Sequence, residues 1–254
     1  MSTGADGRGS GETGAAPYPF PQAVPQPPAG AEGVLGDRLD LAERFAALLG
    51  DTGVSHGLVG PREVPILWER HILNCAVVHE AFPEGAELVD VGSGAGLPGV
   101  ALAIARPDLH VHLIEPMLRR TTWLSSTIDD LALTNCTVHR GRAEEFHGVL
   151  SLPFATARAV ARIDRLARWT FPLLRDGGTL VALKGGRVEE ELIAEEAALR
   201  RLGMTSSAIR RYGGDVLEVP TVALELTVGP APAAPAPRGR GDRGTKPKRG
   251  ANRR

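Results

Sequence analysis

Apolar positions change their spacing along this 254-residue chain, and the changes mark its parts. Leu39, Leu41, Phe45, Leu48 and Leu49 recur at helical spacing until Gly50 and Gly53 interrupt them. Side chains three and four residues apart share one helix face, so an amphipathic helix is expected there. A second helix is expected after Gly60, through REVPILWERHILNCAVVHEAF. Pro61 suits its first turn, where a missing N–H does no harm, and Pro65 marks its start or a kink.

After Pro83 short apolar runs alternate with amphipathic stretches. Strands are expected at 87–91, 111–115, 136–139, 154–159 and 179–184, with helices at 99–105, 118–131, 162–174 and 188–202. Strand–helix alternation of this kind predicts a parallel, doubly wound α/β sheet. The rhythm breaks at the end, where runs at 207–211 and 221–228 follow each other without a helix. An antiparallel hairpin is expected there, giving a mostly parallel seven-stranded sheet preceded by N-terminal helices at 36–82.

Composition sets the limits of this domain. Residues 1–33 include APYPFPQAVPQPP and 230–237 read PAPAAPAP. Both are too rich in Pro and too poor in branched apolar residues to pack a layer. A disordered Gly/Pro-rich head at 1–33, a folded domain at 34–229, and a disordered spacer and tail at 230–254 are expected. The formal charge of −1 conceals a tail of +7 over 238–254 and a remainder of −8. The hydrophobic share of 43% suffices for one core. No apolar run is long enough to span a membrane. The head, which carries Asp6 and Glu12, has no apolar stretch of the kind a signal peptide needs. Cys75 and Cys136 lack the spacing of a zinc site or a disulfide framework. Buried thiols in a reducing cytoplasm are expected, with no metal.

The candidate chemistry sits where the first strand ends, in Leu88-Val89-Asp90-Val91-Gly92-Ser93-Gly94-Ala95-Gly96-Leu97-Pro98-Gly99. Glycines permit a tight turn and let backbone approach a ligand. Alone, such a loop is weak evidence of what binds. Asp90 puts a carboxylate at the strand's mouth, which suits an α-amino group better than a pyrophosphate. Glu115 ends the second strand, where an acid can accept two ribose hydroxyls. The third strand runs into Gly141-Arg142-Ala143-Glu144-Glu145-Phe146, a place for an adenine to be read by the N–H of Ala143 or Glu144. Together these favour S-adenosylmethionine over a dinucleotide, which stays open as an alternative. So do two plainer roles: Asp90 as a helix cap and Glu115 as a solvated acid. The helix–Gly177-Gly178–strand passage and the terminal hairpin are usual in class I S-adenosylmethionine-dependent methyltransferases of Rossmann-like fold.

Several blocks resemble the bacterial small-subunit ribosomal RNA guanine-N7 methyltransferases, the RsmG or glucose-inhibited division B (GidB) family. They are Gly60-Pro61-Arg62-Glu63-Val64, Trp68-Glu69-Arg70-His71-Ile72-Leu73-Asn74, the glycine loop, Ala157-Arg158-Ala159-Val160-Ala161 and Ala182-Leu183-Lys184-Gly185. They keep the family's order from about Leu39 to Val228. Arg162 departs from it, since many members carry proline there. The resemblance implies methylation at N7 of one guanosine (nucleotide 527, conventional numbering) in the decoding-region loop of 16S ribosomal RNA. It also implies donor contacts at Gly92, Leu97, Ala143, Glu144 and Arg158, beside Asp90, Gly94, Gly96 and Glu115 from the reading of the residues.

Guanine N7 carries an unprotonated lone pair in the major groove, so its methylation needs no general base and no nucleophilic Ser or Cys. Positioning and water exclusion are then the main contributions expected of the protein. His71 and Asn74, at i and i+3 on one helix face, are candidates to hold the RNA or to be a packing pair. Lys184, ending the fifth strand, is a candidate for phosphate or a solvated lysine. Arg158 is a donor or substrate ligand, or a surface ion pair. Helix 188–202, with Glu189, Glu190, Glu191, Glu195 and Glu196, is expected to be an exposed polar face. The basic tail offers salt-dependent contacts to RNA backbone or is merely solvated. The expected partner is 16S ribosomal RNA, free or within the small subunit or an assembly intermediate, and the expected state a cytoplasmic monomer. Two other functions fit the same scaffold. One is a small-molecule methyltransferase, which would leave ribosomal subunits unlabelled. The other is a catalytically silent RNA-binding module, which would not bind the donor.

Overall fold

A computed structural model describes residues 23–158 and 160–229. The expectations for residues 1–22 and for the spacer and tail lie outside the described residues. One sheet carries β1 (Glu87–Val91), β2 (His110–Glu115), β3 (Cys136–Arg140), β4 (Leu152–Arg158), β5 (Leu174–Lys184), β6 (Met204–Tyr212) and β7 (Thr221–Val228) in the order β3-β2-β1-β4-β5-β7-β6. β1 to β5 are parallel, and β7 runs antiparallel to both β5 and β6. This is the expected seven-stranded class I methyltransferase sheet, hairpin included.

The helices are α1 (Ala31–Leu35), α2 (Leu39–Leu48), α3 (Leu73–Ala76), α4 (Gly99–Ala105), α5 (Leu118–Asp130), α6 (Ile163–Thr170) and α7 (Val188–Arg201). Strand side chains alternate between faces, so two cores form. Leu88, Val111, Leu113 and Leu183 pack with Phe45, Leu102 and Leu124 from α2, α4 and α5. Val89, Val91, Ile114 and Leu180 pack on the other side with Ile163, Leu166 and Leu199 from α6 and α7. Burial on both faces accounts for the unbroken apolar run of Leu88 and Val89 in β1. No α-helix joins β3 to β4; a 3-10 turn at Ala143–Phe146 does so.

Three expectations are corrected. The single helix expected after Gly60 is a chain of short segments: 3-10 at Pro61–Ile66, π at Trp68–Ile72, then α3, then 3-10 at Val77–Ala81. Pro65 lacks the N–H that a regular helix would use there, and the segment's apolar face is buried in spite of its irregularity. The helix expected over 162–174 ends at Thr170, because Pro172 interrupts its hydrogen bonds, and β5 begins at Leu174 rather than at 179. A register shift between Leu152 and Phe154 lets β5 carry its glycines inside the strand. The domain also begins earlier than residue 34. Ala31 is fully buried, Val24 packs against the core, and Pro25 carbonyl accepts from Trp68 Nε1 at 2.8 Å.

Among the described residues no helix is long and apolar enough to cross a membrane. Removing residues 1–30 is expected to cost about 1–3 kcal/mol through the lost hydrogen bond and burial. The check is a thermal midpoint several degrees lower together with iodide access to Trp68. An unchanged midpoint would show that this segment contributes nothing to the core.

Candidate active site

The strand order reverses beside β1, whose neighbours are β2 on one side and β4 on the other. At such a switch point the loops after the strands' C-terminal ends part and leave a crevice. The glycine loop enters it with Gly92 at φ +75°, Gly94 at +54° and Gly96 at +78°. Those angles disfavour any residue with a Cβ. Space adds a second restriction, since a Cβ on Gly92 would lie 2.6 Å from Val160 and one on Gly96 2.6 Å from Val100.

Two carboxylates hold this turn. Asp90 is fully buried. Its Oδ2 accepts the Gly99 N–H at the start of α4 at 3.0 Å, while Oδ1 is buried without a partner. The cap role is therefore real for one oxygen; the other lies beneath the loop, and Asp90 is not among the residues that line either cavity. Burial raises the Asp90 pKa to about 7, against the bond from Gly99 and the nearby charge of Arg158, which lower it. Glu115 is 2% exposed. Its Oε2 accepts the Gly94 N–H at 3.2 Å and its Oε1 that of Met117 at 3.0 Å, with Arg120 at 3.6 Å. Each carboxylate oxygen keeps a second lone pair, so Glu115 still has acceptors to offer.

Glu115 lines a cavity of about 380 Å³ with Gly92, Met117, Ala143, Glu144 and Trp169 among its other walls. Ala143 and Glu144 open the 3-10 turn, and the first N–H groups of a helix have no partner within it. Gly92, Glu115, Ala143 and Glu144 thus come together around one space. Leu97 does not line it: the side chain is 5% exposed in the core below the loop.

A second, smaller cavity of about 220 Å³ opens at the ends of β4 and β5, lined by Asn74, Arg158, Val160, Lys184 and Gly185 among others. Val160 lines both cavities and sits over Gly92. Arg158 belongs to this second space rather than the first. It donates to His71 Nδ1 at 3.1 Å and to the Arg70 carbonyl at 3.2 Å. His71 Nε2 meets Glu63 Oε2 at 2.7 Å. Asn74 donates to Thr221 Oγ1 at 2.8 Å, whose hydroxyl returns a bond to the Asn74 carbonyl. His71 and Asn74 are therefore both engaged in packing, on different partners. Lys184 Nζ lies 3.0 Å from Glu191 Oε1, which also accepts the Ile163 N–H at 2.7 Å. The exposed polar face expected of α7 holds for Glu189, Glu190 and Glu196, while Glu191 pairs with Lys184 and Glu195 binds Arg162.

Both cysteine thiols are pushed up by burial, Cys75 to about 11 and Cys136 to about 12. Cys75 is a core residue as expected, while Cys136 is half-buried beside the core, and the raised values leave both thiols protonated at neutral pH. Among the described residues no group of three His, Cys, Asp or Glu is placed to hold a metal. No role at the site was read from the sequence for Val160, Glu63 or Glu191. Val160 reaches Gly92 across a long separation, while Glu63 and Glu191 meet His71 and Lys184 from neighbouring elements through turns that periodicity does not encode.

A glycine turn between two acids lies at the switch point of a sheet with the strand order and terminal hairpin of the class I methyltransferase fold. Comparison with known proteins narrows the class. Residues 38–216 match the GidB family, described as rRNA small subunit methyltransferase G. A protein of that description from Thermobifida fusca is 50% identical over 85% of this chain and 95% of its own length. Another from Streptomyces coelicolor is 51% identical over 82% of this chain and 88% of its own. A solved methyltransferase from Aquifex aeolicus aligns with a TM-score of 0.48 and 15% identity, over 70% of this chain and 97% of its own. The chain belongs to the GidB family of rRNA small subunit methyltransferases.

Asp90 makes the apo protein's stability depend on pH. Its pKa is raised on folding, so between about 4 and 7 the folded chain holds a proton that the unfolded chain has released. Stability therefore falls as pH rises through that window and stays lower above it. Asp90→Asn removes the buried charge, and at pH 8 it is expected to melt several degrees above wild type, with little difference at pH 4. Equal midpoints at both pH values would contradict an uncompensated Asp90.

Proposed function

We propose that this protein transfers a methyl group from S-adenosylmethionine to N7 of a guanosine in the decoding-region loop of 16S ribosomal RNA, nucleotide 527 in conventional numbering. It acts in the cytoplasm as a monomer, on the small subunit or an assembly intermediate. The observation that carries this reading is that Val160, packed over Gly92, lines both cavities. One has a nucleoside's complement of groups and the other is open to a base.

The residues present fit the donor. Gly92 leaves room where a Cβ would collide, and Asp90 holds a buried oxygen that lacks a partner. Glu115 would take the ribose hydroxyls, and the backbone at Ala143 and Glu144 would read the adenine edge. Arg158 and Asp90 would face the carboxylate and ammonium of the amino-acid end. When bound, the donor supplies an electrophilic methyl on a cationic sulfur. Ionised Asp90 provides countercharge in a medium where water screens little.

At the acceptor side the protein's task is placement. An N7 lone pair attacks without losing a proton, and the smaller cavity's polar side chains, Asn74, Arg158 and Lys184, are not general bases. The positive charge passes from sulfur to base, so a free ammonium beside N7 would oppose the reaction. The pairing of Lys184 with Glu191 offsets that charge. Val160 packs over Gly92 and helps keep water from the line between donor and acceptor.

Ribosomal RNA from cells with and without the gene tests the assignment, with N7-methylguanosine mapped by borohydride and aniline cleavage. Loss of one cleavage in the decoding-region loop is expected, and an unchanged pattern would overturn it. In the purified protein Asp90→Ala is expected to abolish calorimetric donor binding while the fold persists; unaltered affinity would remove Asp90 from the site.

A further inference from the structure

The Arg158 guanidinium is held by groups that the methyl-transfer chemistry does not itself require. Arg158 has only donors to offer, so His71 Nδ1, 3.1 Å from its Nη2, must be an acceptor. The imidazole proton then sits on Nε2, directed at Glu63 Oε2 2.7 Å away. Glu63 comes from the 3-10 segment at Pro61–Ile66, His71 from the π segment at Trp68–Ile72 and Arg158 from the end of β4. The Arg70 carbonyl fixes the other arm of the guanidinium at 3.2 Å. Three separate elements thus converge on one side chain in the wall of the smaller cavity, whose neighbour Val160 also lines the donor cavity.

We infer that Glu63 and neutral His71 are positioning residues, which fix the Arg158 guanidinium to receive the carboxylate of the donor's amino-acid end. The inference rests on the donor site proposed above and adds a control to it. Protonating His71 would put an N–H where the guanidinium needs a lone pair, and two cations 3.1 Å apart would repel. Arg158 would then leave its place, and the carboxylate would lose its partner.

The groups facing His71 set when this happens. Burial, Arg158 and Arg70 favour the neutral ring, while Glu63 favours the charged one, and the balance lies below the usual histidine value. The relay is therefore intact at neutral pH and fails on acidification. Asp90, whose own titration lies higher and which feels the charge of Arg158, contributes a step that every variant below retains.

Calorimetry with S-adenosylhomocysteine and with 5′-methylthioadenosine, which lacks the amino-acid end, separates positioning from mere structure. At pH 7.5 His71→Ala is expected to weaken S-adenosylhomocysteine roughly tenfold or more, the loss of one charge-assisted bond, and to leave 5′-methylthioadenosine unchanged. His71→Asn can present an amide oxygen near the position of Nδ1 and cannot be protonated. It should keep the affinity within about threefold and lose less of it than wild type between pH 7.5 and 5.5. Glu63→Gln should move the wild-type acid midpoint downward. Equal losses for both ligands in His71→Ala, or identical acid profiles in wild type and His71→Asn, would overturn the relay. Failure of wild type to bind S-adenosylhomocysteine would instead overturn the donor site on which it rests.

Discussion

The chain must leave β1 through a turn that side chains cannot make, and two buried carboxylates hold it there. Positive φ at Gly92, Gly94 and Gly96 leads the backbone across the mouth of the crevice. Asp90 fastens the far end of the loop through Gly99, and Glu115 fastens its middle through Gly94. Burying an acid with one oxygen unpartnered is costly, and the raised pKa of Asp90 is the form that cost takes. An arrangement of this kind serves a fold poorly and a cationic ligand well. Everything built around the crevice depends on the same turn: the position of α4, the space under Val160 and the walls shared by the two cavities.

Charge is managed with equal care around the smaller cavity, where the acceptor is proposed to bind. Lys184 is matched by Glu191, and Arg158 is bracketed by neutral His71 and by the buried acid. The smaller cavity consequently presents polar groups without a free base, which suits an acceptor atom that is already unprotonated. Methyl transfer to such an atom relocates a positive charge and creates no anion, so placement and countercharge are the useful contributions of a protein here.

Much of this was legible in the sequence, for identifiable reasons. Parallel strands buried on both faces read as short apolar runs, and each of the seven emerged near its observed place. The glycine loop, Asp90, Glu115, Ala143 and Glu144 were legible because turn geometry and strand ends impose them locally. The segment from Pro61 to Ala81 was not, since its apolar spacing is helical while Pro65 and the packing around it impose 3-10 and π turns. Nor was the fate of Arg158 and Asn74, whose partners His71 and Thr221 lie far along the chain, or that of Lys184, whose partner Glu191 follows seven residues later across a strand-to-helix turn. The side chain of Leu97 lies in the core, so the donor contact implied by its motif position would fall to its backbone. Family resemblance carried the substrate further than any local pattern did.

The most direct test of the whole account is a crystal structure of the protein with S-adenosylmethionine bound. The adenine is predicted at the N–H groups of Ala143 and Glu144, the ribose on Glu115, and the sulfonium over Gly92 with its methyl directed past Val160 toward the cavity of Asn74 and Lys184. A donor lodged anywhere else, or one whose methyl points away from that second cavity, would contradict it.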